Sequence, residues 1–312
     1  MMESREAMEK VRTCPVTVVI PACRRKERLM ETLRRIRDCR PAPAEVLVHV
    51  DGAAAEVVEA VRAFDPAIRV LTSTELLGPG GSRNRLIREA KHELVANFDD
   101  DSFPADADYF ARVMRLAERF PEAAMFSAAS HEKEWRSLQF QRIAVPSGCG
   151  CVFRRSWFER TRGFVPLVVA YNMEEVDIGL QLHALGGVIV HDPLLRVVHD
   201  HPPDETSSAT VNAAVVANTV LFGWLHFPVW MAPVTLWNVL RLAVFQRTRF
   251  GASGLGRGWR LLPGLLHQHG GLRKPLATAA ILSWLRLKRV PEDLGDAREL
   301  PTATVCQALP TR

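Results

Sequence analysis

The sequence predicts an α/β fold: a doubly wound, mostly parallel, Rossmann-like sheet followed by a basic, helical C-terminal region. Three observations carry that prediction. Short β-branched runs alternate with stretches of helical periodicity through roughly the first two hundred residues, as successive βα units require. Charge is divided unevenly along the chain, and 312 residues that are 47% apolar and 24% charged suffice to bury a full core.

"VTVVI" (16–20) is a continuous β-branched run of the kind found in strands buried on both faces. "EVLVHV" (45–50), "IRVLT" (68–72) and "ELVANF" (93–98) repeat the type. Between them, "RRKERLMETLRRIRDC", "AAEVVEAVRAF" and "GGSRNRLIREAKH" space their apolar residues as helices do. A series of this kind places ligands beyond the carboxyl ends of its strands. Those ends are Pro21-Ala22-Cys23, Asp51-Gly52, the Gly-rich stretch 77–81 and Asp99-Asp100-Asp101, so carboxylates reach one edge from two strands. A helix is expected at about 106–119 and an apolar strand at 123–129. "NMEEVDIGLQLHALGG" (172–187) reads as a helix that opens on Glu174, Glu175 and Asp177, where the helix dipole favours acids, and closes at Gly186-Gly187. "VIVHD" and "LRVVHDHPP" read as two closing strands, the second ending in His199, Asp200 and His201.

The three adjacent aspartates admit two readings. They repel one another and lose solvation at a strand end, which a divalent cation such as Mg²⁺ or Mn²⁺ would relieve; alternation lets Asp99 and Asp101 point the same way. The other reading is a solvated loop capping the next helix. "LGPGGSRNRL" resembles a phosphate cradle or, equally, a tight turn at a helix start, and it matches neither common nucleotide-binding fingerprint. Glu175 is the best candidate for a general base, Glu174 for orienting a substrate hydroxyl, and Asp177 for a structural role. His199 or His201 could ligate a metal through a neutral ring nitrogen, or simply be a hydrogen-bonded strand-end histidine.

Taken in order, these stretches resemble the inverting nucleotide-sugar glycosyltransferases of family 2, with the GT-A fold. "VVIPACRRKERLMETL" is similar to the family's opening strand and helix, "VHVDGA" to the second strand with its Asp-Gly, and "GPGGSRNRLIREA" to its G-x-x-x-A-R-N helix. "LVANFDDDSF" resembles the D-x-D strand, "GCGCVFRRSWFERTRGF" the small-residue acceptor segment, and "MEEVDIGLQLHALGG" the E-D acid segment. The resemblance implies that Pro21, Ala22, Arg25 and Asp51 hold the nucleobase and ribose, with Arg83 and Asn84 supporting the donor pocket. It implies that Asp99 and Asp100 lie on the donor side, that Asp101 and His199 bind the divalent cation, and that Gly148, Gly150 and Glu174 face the acceptor. Glu175 occupies the catalytic base position. The sequence departs from the family at Cys23-Arg24, at the single Asp51, at Glu175, one methylene longer than the usual Asp, and at Gln181.

The formal charge of +5 conceals an asymmetry. Thr206 to Val290 holds no Asp or Glu but ten Lys or Arg, so the other 30 basic residues are outnumbered by all 35 acidic ones. Within that region 206–240 has no charged side chain; its length suffices for a span of about 20 residues, yet Asn212, Asn218, His226, Pro228 and Pro233 interrupt it. Trp224, Trp230, Trp237, Trp259 and Trp284 lie among the basic residues, a composition that suits an anionic membrane surface. A soluble helical cap is the competing reading. Nucleic acid is not expected, since the apolar runs are too continuous for a solvated stacking surface.

The expected organisation is a catalytic domain over 1–204, with a donor half at 16–102 and an acceptor half at 103–204. A membrane-associating helical region at 205–290 and a flexible tail at 291–312 follow. Six cysteines without paired zinc-ligand spacing and an N-terminus too charged for a secretory signal point to reduced thiols and the cytoplasm, with Cys149-Gly150-Cys151 read first as packing and second as a redox or metal pair. The C-terminal composition adds a peripheral place on the inner face of the plasma membrane. The expected activity is metal-assisted, inverting sugar transfer from a nucleotide-sugar to a lipid-linked or saccharide acceptor. The alternatives are a nucleotidyltransferase and an inactive, membrane-bound nucleotide-sugar-binding protein.

Overall fold

The computed structural model describes residues 13–52, 54–131, 133–200 and 208–300. Its first half alternates β1 (Thr13–Ala22), α1 (Lys26–Arg37), β2 (Ala42–Val50), α2 (Ala55–Phe64), β3 (Arg69–Thr72), α3 (Gly78–Glu89) and β4 (Leu94–Asn97). Strand β1 is central, flanked in parallel by β2 and β4, and β3 pairs in parallel with β2. The β-branched run explains the arrangement. Val18 and Ile20 share one core with Leu29, Leu33 and Ile36 of α1, while Val19 shares the other with Leu86 and Ile87 of α3. Both faces are therefore covered, as a parallel sheet requires.

The second half comprises β5 (Ser102–Pro104), α4 (Tyr109–Arg119), β6 (Ala123–Ala129), β7 (Gln139–Ile143), β8 (Cys151–Arg154), α5 (Arg155–Phe158), α6 (Glu174–Ala184) and β9 (Val188–His199). Strand β8 inserts antiparallel between β4 and β6, which extends the sheet towards β9 and β7. The sequence suggested two closing strands where one forms. Strand β9 jogs instead of ending: its register against β6 jumps from Asp192 to Arg196. The buried Asp192 carboxylate holds the jog by accepting from Leu194 N at 2.9 Å and from Arg112 Nε and Nη2 at 2.5 and 2.9 Å.

The expected tail also needs correction. Residues 292–296 form β10 (Glu292–Asp296), antiparallel to β7, and Ala297 N donates to Leu138 O at 2.7 Å. Ala297 and Leu300 enter the main core, so this stretch is tied down by its own buried residues. The remainder of the expected tail, 301–312, lies outside the described residues, as does His201.

Four helices make the C-terminal region: α7 (Ser208–His226), α8 (Ala232–Phe250), α9 (Leu255–His269) and α10 (Thr278–Arg289). Helix α7 is long and apolar enough to cross a bilayer, but 67% of its apolar window is buried inside the protein. The polar residues that interrupt it have internal partners. Asn218 Nδ2 donates to Val169 O and Tyr171 O at 3.0 and 2.9 Å, and Asn212 Nδ2 donates to Gly251 O and Ser253 O at 2.9 and 2.8 Å. Phe222 and Leu225 of α7 and Ile281 and Trp284 of α10 form a third core with Val165, Leu167 and Leu180. Trp284 Nε1 donates to Ala144 O at 3.0 Å, so its ring is fixed as well as buried.

Candidate active site

The carboxyl edge of β1 and β4 gathers most of the residues singled out in the sequence. Asp100 and Asp101 are almost fully buried directly after β4. Arg25, at the start of α1, bridges them: Nε and Nη2 donate to the two oxygens of Asp100, and Nη1 donates to Asp101 Oδ2 at 2.6 Å. Burial nevertheless pushes the Asp100 carboxyl up to about 7, against the pull of Arg25. The other Asp101 oxygen, Oδ1, faces His199 Nε2 at 3.3 Å, because β5 and the end of β9 pair here, Ser102 against His199. Burial works against the charged form of His199, and Asp101 and Asp99 outweigh it, so its pKa is raised.

A second bridge lies deeper. Arg83, 4% exposed, donates through Nε to Asn97 Oδ1 at 2.9 Å, through Nη1 to Glu174 Oε2, and through Nη2 to Asp99 Oδ1. One guanidinium thus joins the first turn of α6 to the end of β4. Burial pushes Glu174 up to about 7 with Arg83 opposing, while the charges of Glu175 and Asp99 add to the rise. Glu175 is raised too, again chiefly by burial. Both glutamates border a small cavity walled by Met125, Phe153, Phe164 and Ile178.

The glycines around these carboxylates are there for clearance. A Cβ on Gly148 would lie 2.5 Å from Glu175 Oε1, and one on Gly80 2.7 Å from Glu174 Oε1. Gly150 adopts φ +67°, where a Cβ would meet Val197 Cγ2 at 2.2 Å.

Residues 17–164 match the sequence profile of glycosyl transferase family 2. The chain carries a family 2 glycosyltransferase domain. No curated protein sequence matches the chain. Among solved structures the fold is similar to a mannosyltransferase of Pyrobaculum calidifontis, PcManGT, in complex with GDP-Man and Mn²⁺: 16% identity, TM-score 0.56, 93% of each chain covered. It is also similar to S. aureus TarS (14%, 0.53, 75% of this chain and 73% of that one). A third likeness is GalNAc-T7 with UDP, GalNAc and Mn²⁺ (14%, 0.52, 85% and 59%). The sheet with its flanking helices is of the GT-A type, and the C-terminal helical region follows it.

Within the glycosyltransferase domain several expected ligand residues are engaged by the chain itself. Pro21 and Ala22 end β1 beside Asp51, whose backbone N–H donates to Ala22 O at 2.8 Å. The buried Asp51 carboxylate accepts from Ser73 Oγ at 2.8 Å, Leu77 N at 2.9 Å and Gly78 N at 2.8 Å. It therefore caps α3, and the suggested phosphate cradle has its leading amides occupied by this internal anion. Gly78, at φ +72°, allows the close approach of α3 to the 167–168 backbone, where a Cβ would lie 1.9 Å from Leu167 O. Asn84 pairs reciprocally with the Phe164 backbone, both bonds 2.9 Å, so it holds the segment whose Phe164 walls the cavity.

One feature escaped the sequence reading. Arg83 as the link between Asp99 and Glu174 depends on a contact spanning 91 positions, which spacing cannot reveal. The Cys149 thiol, Asp99 and His199 each bring a ligand atom within 4.8 Å of the others, which takes up the metal reading of Cys149-Gly150-Cys151 with partners far away in sequence. Arg25 thus pairs with Asp100 and Asp101 and Arg83 with Asp99 and Glu174, and Glu175 adds a fifth carboxylate beside them. This donor set, with an imidazole and a thiol beside it, has the chemistry to hold a divalent cation.

Proposed function

We propose that the chain transfers a sugar from a nucleoside-diphosphate sugar to a hydroxyl of a glycolipid or polysaccharide acceptor, with inversion at the anomeric carbon. The observation that carries this reading is Glu175, a desolvated carboxylate packed against Gly148 and one residue from the Glu174–Arg83–Asp99 bridge. Its raised pKa brings it closer to neutrality, where a general base works best. Glu175 takes the proton of the acceptor hydroxyl as that oxygen bonds to the anomeric carbon; the bond to the diphosphate oxygen breaks, and the nucleoside diphosphate departs with the electron pair. Arg83 keeps Asp99 and Glu174 in register across the reacting gap, and Arg25 fixes Asp100 and Asp101 on the donor side.

Asp101 and His199 would hold a divalent cation, with Asp99 and Cys149 within reach. Such a cation supplies charge that stabilises the leaving diphosphate. The mixed oxygen, nitrogen and sulfur donors favour Mn²⁺ over Mg²⁺, which prefers oxygen and water. The fold's likeness to proteins solved with GDP-Man, UDP-GlcNAc or Mn²⁺ supports a nucleotide-sugar donor and this class of ion. The protein is proposed to work in the cytoplasm.

The test is a panel of nucleotide-sugars with Mn²⁺ and the release of nucleoside diphosphate. Release should require Mn²⁺ and be lost in Asp101→Ala, while nucleoside diphosphate with Mn²⁺ should raise the melting temperature of the unaltered protein. Release of pyrophosphate would identify nucleotidyl transfer and overturn the reading.

A further inference from the structure

Helix α8 carries its apolar residues on the side the fold leaves uncovered. Exposure recurs at positions 233, 236, 237, 240, 241, 244, 245 and 248, three or four apart, which is one face of a helix. On that face Leu236, Trp237, Leu240, Val244 and Phe245 are 52 to 67% exposed, and Trp230 in the preceding turn is 65% exposed. The same helix buries the polar Gln246. An apolar stripe of this extent on an outer surface marks a contact with something outside the chain.

The surrounding charge says what kind of partner. Residues 206–290 contain ten cations and no anion, and Arg241 and Arg247 are exposed on α8 itself. A protein interface mixes both signs at its rim, whereas tryptophan and unopposed cations beside an apolar stripe match the headgroup layer of an anionic bilayer. Helix α8 packs along α7, which is fixed in the third core, so α8 cannot leave the protein to cross a membrane.

We propose that the outer face of α8, with the turn at Trp230, docks in the interface of an anionic lipid bilayer and lies in its plane. The inference stands on this surface alone; combined with the proposed transfer, it would bring a soluble donor to a lipid-linked acceptor.

Flotation of the full chain with vesicles of phosphatidylglycerol and phosphatidylcholine tests it, with pure phosphatidylcholine vesicles in parallel. The protein should float with the anionic vesicles and do so less at high salt. Trp230→Ser/Trp237→Ser/Phe245→Ser should lower the bound fraction at least tenfold, and Arg241→Gln/Arg247→Gln by about fivefold per cation. Failure of the unaltered chain to float, or equal flotation of the triple variant, overturns the proposal. So does light scattering that shows a dimer which the triple variant dissolves while neither protein binds vesicles, since the face would then belong to a second copy. Nucleoside diphosphate release, measured on the same samples, separates the two readings: flotation without release leaves docking intact and removes the transfer reaction.

Discussion

Helix α6 buries charge where helix α8 exposes apolar surface, and the two inversions are settled differently. In α6, Glu174 meets Arg83, and the fully buried Asp177 accepts from Arg162 Nη2, from Gln181 Nε2 at 3.1 Å and from His226 Nε2 at 2.5 Å. Every one of these partners belongs to the chain. In α8 the exposed Trp237, Val244 and Phe245 have no such covering, and the polar Gln246 lies underneath. The comparison teaches where to look for function: an inversion compensated internally marks a built site, and one left open marks a surface that needs a partner.

The largest effect should come from removing the compensation in α6. Arg83→Met leaves Glu174 and Asp99 without their shared cation in a buried setting, which should cost about 3–5 kcal/mol of stability in urea unfolding. The loss should also be pH-dependent. Glu174 sits at about 7 in the folded protein against an ordinary 4.5, so the folded state binds more protons between those values and stability due to this group rises as the pH falls through that window. The variant should therefore be less impaired at pH 5 than at pH 8. An equal deficit at both would mean that the guanidinium contributes packing and not charge.

Next comes chemistry on the same helix. Glu175→Gln keeps the shape and removes the base, so transfer should fall by about a hundred- to ten-thousandfold with donor binding retained. Loss of donor binding in step with transfer would make Glu175 a structural residue like Asp177.

Much of this architecture was legible in the sequence, for identifiable reasons. The four parallel strands were readable because burial on both faces leaves a continuous β-branched run, as in "VTVVI". The carboxylates were readable because strand ends are where a parallel sheet binds ligands. The helix-capping part of Asp51 was not readable, because a strand-end acid can serve a ligand or a helix N-terminus, and the register of Leu77 and Gly78 against it is a tertiary fact. Strand β9 was divided in two because Asp192-Pro193 looks like a break, and the buried pairing with Arg112 that spans it lies 80 positions away. The apolar content of α7 could not distinguish a span from a core helix, since only its partners Val165, Leu167 and Leu180 settle that.

A smaller effect should follow where the two helical regions meet. His226 of α7 donates to Asp177 of α6 from a buried position, and burial lowers its pKa from 6.5, with Asp177 opposing and Arg162 reinforcing. The unfolded chain then binds the proton first, so stability from neutral His226 is complete above 6.5 and lost as the pH falls below it. His226→Leu should cost about 1.5–3 kcal/mol at pH 8 through the lost bond to a charged acceptor. It should also show a shallower decline on the acid side, which a urea series from pH 8 to pH 5 would read.

The smallest effect on stability is expected at the most conspicuous surface. Trp230, Trp237 and Phe245 are large, yet more than half of each is already in water, so replacing all three by Ser should move the unfolding free energy by about 0.5 kcal/mol or less per site. Aromatic truncation in the third core, at Phe222 or Trp284, would cost about 3–5 kcal/mol each. A large loss of stability in the surface variant would show that α8 is held by contacts along its outer face, and the comparison with α6 would collapse. A change near zero in unfolding, together with a tenfold loss of vesicle binding, would show that these side chains contribute to association and not to folding.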